Sequence, residues 1–257
     1  MPGAFPPAPV GGCALLDPFV QRLEHGANLT AGDRAALSDL TRYRRAIDGR
    51  RSIVEEGADA SRVRIILDGW ACRWKGLPNG QRQITELLLP GDICHAYSGM
   101  LLRSDHSIAT LSTSVIAEVD QAELATLLEQ RPIARQALRW SSLQTDSILR
   151  TALVNNGLRQ AEQRIAHLIC EILARLQSVG LAQNGTFSWP LTQIDVGEIA
   201  SMSSVHVNRT FRKLRGDDLL TLQKRQMSIQ DVARLAAFCD FRSDYLHFKA
   251  ELGAFDQ

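Results

Sequence analysis

A change of hydrophobic period divides this chain and constrains its fold more than any other feature. Over residues 51–120 the apolar residues come in short runs broken by turn chemistry; beyond Asp120 they recur at threes and fours. A strand needs a period of two and a helix a period of 3.6, so the chain must place a β unit before an α-rich one. The early runs are Ser52-Ile53-Val54, Val63-Arg64-Ile65-Ile66-Leu67, Trp70-Ala71-Cys72-Arg73-Trp74, residues 84–89, Ser107-Ile108-Ala109 and residues 115–119. Gly57, Asp68-Gly69, Pro78-Asn79-Gly80 and Pro90-Gly91 break them, a spacing that describes a small antiparallel barrel or roll. Asn79-Gly80 is the strongest hairpin signal and predicts a tight turn with positive φ at both central positions.

The helical part opens with Leu124, Leu127 and Leu128 on one face. Pro132 can start the next helix, and Ala137, Trp140, Gln144, Ile148 and Thr151 then predict a helix of about 23 residues. Asn155, Asn156 and Gly157 predict its end and a hinge, and its narrow stripe could pack on the strands or on a twin helix. A further amphipathic helix carries Ile165, Leu168, Ile169, Ile172, Leu173 and Leu176 and ends near Gly180; Asn184-Gly185 then leads into a strand-like Thr186-Phe187-Ser188-Trp189.

The most informative stretch begins after Pro190. Residues 192–200 predict a short helix with Thr192 as N-cap, Asp195 three residues on, and Val196, Ile199 and Ala200 on one face. Ser201-Met202-Ser203 breaks it. A second helix over 204–215 turns Val207, Phe211 and Leu214 inward and leaves Ser204, Val205, Asn208, Arg209 and Arg212 on its other sides. Two short helices around a three-residue turn, with small Ala200 at their crossing and the bases on the second, describe a helix-turn-helix. Residues 219–222 and 227–229 then predict two strands joined by the basic turn Gln223-Lys224-Arg225-Gln226, a wing that can touch phosphate. The net charge of the 257-residue chain is only +1, yet residues 201–230 hold six bases (Arg209, Arg212, Lys213, Arg215, Lys224, Arg225) against Asp217 and Asp218.

At these residues the chain resembles the Crp/Fnr family of bacterial transcription regulators, particularly a branch whose recognition helix has the form Val205-His206-Val207-Asn208-Arg209-Thr210. The resemblance extends from about Phe19 to Leu246 and implies an α+β fold: a cyclic-nucleotide-binding-like β-roll, a long dimerisation helix and a C-terminal winged helix-turn-helix. The corresponding parts are a flexible segment over 1–18, the roll over 19–130, the dimerisation helix and hinge over 131–157, and the DNA-binding domain over 158–257. By position, Ser204, Val205 and Arg209 face the major groove, where Arg209 can pair bidentately with guanine. Ser203 caps the recognition helix and, with Thr192 or Gln193, meets phosphate; His206 and Asn208 contact DNA or pack within the motif. Arg212, Lys224 and Arg225 complete the expected DNA contacts. Ser201 departs from the family, whose members commonly carry Gly there; a positive φ would cost Ser of order 1 kcal/mol more. The implied partners are an inverted-repeat duplex bound by a homodimer, and RNA polymerase.

The roll carries a weaker message. Members of the family that bind cyclic nucleotide have a Gly-Glu pair for the ribose where His95-Ala96 stand here. Arg103-Ser104 imitates their phosphate motif, but Asp105-His106 follow and Arg103 is out of register with the strand at 115–118. These departures argue against cyclic AMP or GMP and leave the effector unidentified, with His95, Tyr97, Arg103 and His106 as candidate pocket residues and Cys94 as a redox candidate. Cys94 and His95 are adjacent and point to opposite faces of a strand, so no metal site is assigned. Five cysteines without a C-x-x-C pair fit neither a disulfide framework nor an iron–sulfur sensor. A cupin-like metal enzyme is the rival from another class; the six scattered histidines lack H-x-H spacing, and no nucleophile elbow or Walker loop is present. A constitutive regulator without ligand is the further alternative. No cofactor is implied. A composition of 45% apolar and 22% charged residues, with no long apolar run and no leader-like start, predicts a folded soluble protein of the cytoplasm.

Overall fold

The computed structural model of the protein describes residues 17–59, 61–94 and 103–249. Two capped helices come first. Asp17 accepts from the Phe19 amide to cap α1 (Pro18–Glu24), and a reciprocal Thr30–Asp33 capping box starts α2 (Ala31–Leu40). Among the described residues eight strands follow: β1 (Arg44–Ile47), β2 (Ser52–Val54), β3 (Arg62–Asp68), β4 (Ala71–Gly76), β5 (Arg82–Leu88), β6 (Ile93–Cys94), β7 (Ser107–Thr110) and β8 (Ser114–Asp120). They form two antiparallel sheets, ordered β1-β8-β3-β6 and β2-β7-β4-β5, and Ile66, Ala71, Leu88, Ile108 and Ile116 fill the space between them. Only Ile47 of β1 is buried, so this strand has no apolar alternation to betray it.

The hairpin at Asn79-Gly80 forms between β4 and β5, but its turn differs from the expected one. Gly80 takes φ +84° while Asn79 stays outside the left-handed region. The Gly80 amide donates to the Leu77 carbonyl at 2.9 Å and the Leu77 amide to the Gln81 carbonyl at 2.8 Å. Pro78 fixes its own φ at about −65°, which suits the second position of a four-residue type I turn and moves the left-handed residue one place on.

Helix α3 (Gln121–Gln130) leads into α4 (Pro132–Leu158), with Pro132 in its first turn. Asn155, Asn156 and Gly157 do not stop α4; it continues to Leu158. The two amides are used elsewhere, Asn155 donating to the Arg164 carbonyl and Asn156 to the Ile199 carbonyl. The stripe that could have met a twin helix is instead largely buried within its own chain. Ala137 packs with α1, α2 and the outer face of β3 and β8, Ile148 joins the C-terminal core, and the Gln144 amide donates to the Leu246 carbonyl. Leu143, Leu153, Val154 and Leu158 remain exposed on the outer side of α4.

The C-terminal unit consists of α5 (Ala161–Gln177), β9 (Thr186–Ser188), α6 (Gln193–Ala200), α7 (Ser204–Gly216), β10 (Thr221–Gln223), β11 (Gln226–Ser228), α8 (Val232–Phe238) and a 3₁₀ turn (Ser243–Leu246). Its core, built around Ile169, Leu173, Trp189 and Phe211, continues into the roll through Trp70, Ile84 and Leu87. The Trp70 and Trp189 rings meet edge to face at 6.2 Å. No described helix is long and apolar enough to cross a membrane.

His167 of α5 is packed against Phe241 at 5.1 Å and Tyr245 at 6.0 Å. Burial, assisted by the Arg159 charge, pulls its pKa down from 6.5 to about 4. Between these values the unfolded chain binds the extra proton, so the stability tied to neutral His167 is complete above pH 6.5 and is lost as pH falls towards 4. His167→Gln is therefore expected to remove up to roughly 3 kcal/mol of the difference in unfolding free energy between neutral and mildly acidic buffer. Urea titrations of parent and variant at both pH values measure it.

Candidate nucleic-acid interface

Helix α6 starts on a capping box. Thr192 Oγ1 accepts from the Asp195 amide at 3.2 Å, while Asp195 Oδ2 accepts from the Thr192 amide at 2.6 Å and from its hydroxyl at 2.7 Å. Burial by itself would raise the Asp195 pKa, but the bonds from Arg50 and Thr192 outweigh it and hold the carboxyl below its ordinary value. The turn after α6 folds tightly on Gly197, where an added Cβ would lie 2.5 Å from the Met202 carbonyl oxygen. Gly197 thus supplies the close approach, alongside buried Ala200. Ser201 occupies the left-handed region at φ 54°.

Ser203 then caps α7 by accepting from the His206 amide at 3.2 Å. Val207, Phe211 and Leu214 are buried, as their spacing requires. Gln193, Ser204, Val205, Asn208, Arg209 and Arg212 line one groove of about 490 Å³. Val205 is 72% exposed, an apolar side chain left in solvent on that face. Thr192, Ser203 and His206 are exposed at the adjoining helix starts, outside the groove.

The structure sorts the bases that sequence could only count. Lys213 pairs with Glu162 at 2.9 Å, and Arg215 turns back to the Phe211 carbonyl at 3.2 Å. Among the described residues Arg209, Arg212, Lys224 and Arg225 form no ion pair and are exposed. Lys224 and Arg225 make the two-residue tip between β10 and β11, at φ 48° and 61°. Such φ values suit Gly or Asn, so two long basic side chains at this tip carry backbone strain of order 1–3 kcal/mol each, a feature typical of functional positions.

The effector candidates are less well gathered. His95 and Tyr97 lie outside the described residues. Arg103 does not line the roll: it is exposed, with Nη1 donating to the Gly57 carbonyl at 3.0 Å. Its place in the exposed turn before β7 follows from being out of register with the strands. His106 is buried, its Nδ1 2.7 Å from Asp105 Oδ1, and burial lowers its pKa. Cys94 is buried and its thiol is pushed up to about 12 by burial, which withholds the thiolate that redox sensing needs. Beside it Arg73 and Glu86 form a buried ion pair across β4 and β5.

Residues 163–238 match the Crp-like helix-turn-helix domain family, and residues 44–131 match the cyclic nucleotide-binding domain family. The chain is a Crp/Fnr-type DNA-binding transcriptional regulator. It is 26% identical over 174 residues to the nitrogen fixation regulation protein FixK of Bradyrhizobium diazoefficiens, covering 67% of this chain and 71% of that one. It is 23% identical over 219 residues to the transcriptional activator FnrL of Cereibacter sphaeroides, covering 83% and 88%. In fold it is similar to FixK2 of Bradyrhizobium japonicum, with TM-score 0.67 at 21% identity over 76% of this regulator and 96% of that chain. These relatives are transcriptional regulators and not enzymes, which removes the cupin-like reading.

The regulator's sequence could not reveal Arg50, Arg82 and Gln83, which the fold brings from the roll to the back of α6. Their partners lie more than a hundred residues away, and no local pattern marks such pairs. For the motif itself, Ser203→Ala removes the cap of α7 and is expected to destabilise the protein by about 1 kcal/mol. Denaturant unfolding of the variant against the parent provides the check.

Proposed function

We propose that this regulator binds an inverted-repeat operator as a homodimer, with α7 in the major groove and half-sites about one helical turn apart. The observation that carries this reading is the groove face of α7, where Ser204, Val205, Asn208, Arg209 and Arg212 are gathered with two arginines unpaired among the described residues. Arg209 is assigned to guanine, Ser204 and Val205 to neighbouring base edges, and His206 to the side of the motif facing Glu162. Ser203, Thr192 and Gln193 meet phosphate through the helix starts, and Lys224 and Arg225 through the wing. This assigns the chain to the branch with the Val-His-Val-Asn-Arg-Thr helix. RNA polymerase is a further partner in this reading, and the cytoplasm its location.

The dimer reading is supported by the outer side of α4. Leu143 and Leu153 are 63% and 75% exposed, and with Asp146 and Arg150 they follow the spacing of a coiled-coil seam. Leu153→Glu is expected to convert the dimer to monomer, read by sedimentation at micromolar concentration.

The roll is assigned a signal other than cyclic AMP or GMP. Arg73 is already paired with Glu86 inside it, and Arg103 faces away, so neither cation is available to a cyclic phosphate. The same internal ion pair favours, as a second reading, a constitutive regulator without ligand.

Selection of bound sites from random duplex DNA at fixed salt, repeated with Arg209→Ala and Lys224→Ala, tests the proposal. Arg209→Ala is expected to lose discrimination at one base position per half-site, at about 1–3 kcal/mol. Lys224→Ala is expected to weaken all sequences alike and to lower the salt dependence by about one ion. An unaltered site preference in Arg209→Ala would reject the register of α7.

A further inference from the structure

The roll grips the helix-turn-helix from behind. Arg50, in the turn between β1 and β2, makes a bidentate pair with Asp195, Nη1 to Oδ1 at 2.5 Å and Nη2 to Oδ2 at 2.7 Å. Arg82 of β5 reaches Glu198 at 2.7 Å while its guanidinium lies 5.1 Å from the Trp74 ring centre. Gln83 donates to the Ile199 carbonyl at 3.2 Å and accepts from the Ser201 hydroxyl at 3.2 Å. Asp195 is also the partner of the N-cap Thr192 in the α6 capping box, so one carboxylate helps both to start the helix and to dock it.

Two of these side chains sit where the backbone disfavours any side chain. Arg50 has φ 65° and Ser201 φ 54°, values that glycine adopts without strain. Both spend that strain on a bond to the other domain. The turn holding Arg50 is itself fixed, its amide donating to the Thr110 carbonyl at 3.0 Å and the Arg51 amide to Thr110 Oγ1 at 2.9 Å. All these contacts use Asp195, Glu198, Ile199 and Ser201, whereas the groove face of α7 stays open.

We propose that Arg50 and Ser201 are positioning residues for DNA binding: acting through α6, they hold α7 in the orientation in which it meets DNA. The inference rests on the assignment of the α7 face to DNA. A fixed motif loses less freedom on binding than one swinging on the α4–α5 connection, so the contact strengthens binding without touching a base. It therefore alters affinity for every site equally and leaves base preference unchanged.

The test compares the full-length parent with Arg50→Gly and Ser201→Gly, using the duplex that the parent selects from random DNA. Both substitutions relieve the backbone, and Ser201→Gly is expected to unfold at a temperature no lower than the parent's, which separates positioning from simple structural support. Without DNA, tryptic cleavage between α4 and α5 is expected to quicken in both. With DNA, Kd is expected to rise about five- to tenfold in Arg50→Gly and about two- to fivefold in Ser201→Gly, with base preference unchanged. Operator binding as tight as the parent's, or tighter, in both variants would overturn the proposal. Cleavage needs no DNA and Arg209→Ala reports the register of α7 separately, so failure here is distinguishable from failure of that register.

Discussion

One buried carboxylate, Asp92, ties the two halves of the molecule together, alongside the contacts of Arg50, Arg82 and Gln83 with α6. Asp92 is 3% exposed and pairs with Arg22 of α1 at 2.9 Å and with Arg175 of α5 at 2.5 Å. Arg175 lies 3.6 Å from Glu171, whose other oxygen accepts from the Tyr245 hydroxyl at 2.8 Å. Two arginines face two carboxyl groups, so the cluster is formally balanced, while burial raises the Glu171 pKa. Loss of one member would strand a buried ion, which typically costs about 3–5 kcal/mol. The geometry also explains Pro90-Gly91: Gly91 has φ +95°, and a Cβ there would lie 2.6 Å from the Pro18 carbonyl oxygen. That close approach carries Asp92 to Arg22.

Of the left-handed non-glycine residues, Arg50, Ser201, Lys224 and Arg225 have polar side chains behind α6 or at the wing tip, where glycine would ease the backbone but supply no contact, while Asn184, Asp218, Asp240 and His247 adopt the same region at other turns and element ends. The wing tip and the back of α6 thus obey one rule: backbone comfort is exchanged for a side chain placed at a fixed point. The bases on α7 show the complementary economy. Lys213 is neutralised by Glu162, so on the groove face the positive field comes from Arg209 and Arg212, while Arg215 keeps its charge outside that groove.

Residues 44–131 of the roll match the cyclic nucleotide-binding domain family. Arg73 and Glu86 pair across β4 and β5, and the neighbouring Cys94 thiol stays protonated through burial. Its outer sheet face, through Trp70, Ile84 and Leu87, is the floor on which the C-terminal core is built. A displacement of β4 or β5 would therefore be felt by α6, because the same hairpin carries Arg82 and Gln83.

Much of this was legible in the amino-acid order, because local rules decide it. The change from period two to period 3.6, the Thr192–Asp195 box, the Ser203 cap and the inward Val207, Phe211 and Leu214 depend on residues within a few positions of one another. Local rules also failed where a neighbour intervened: Pro78 changed the hairpin turn, and α4 ran through Asn155, Asn156 and Gly157. Only the tertiary structure decided which bases are neutralised, that the α4 stripe is largely buried within its own chain, that Arg103 faces outward, and that Arg50 reaches Asp195. Those outcomes depend on pairings between distant segments, and the Coulombic and packing energies that select them exist only once the chain has brought those segments together.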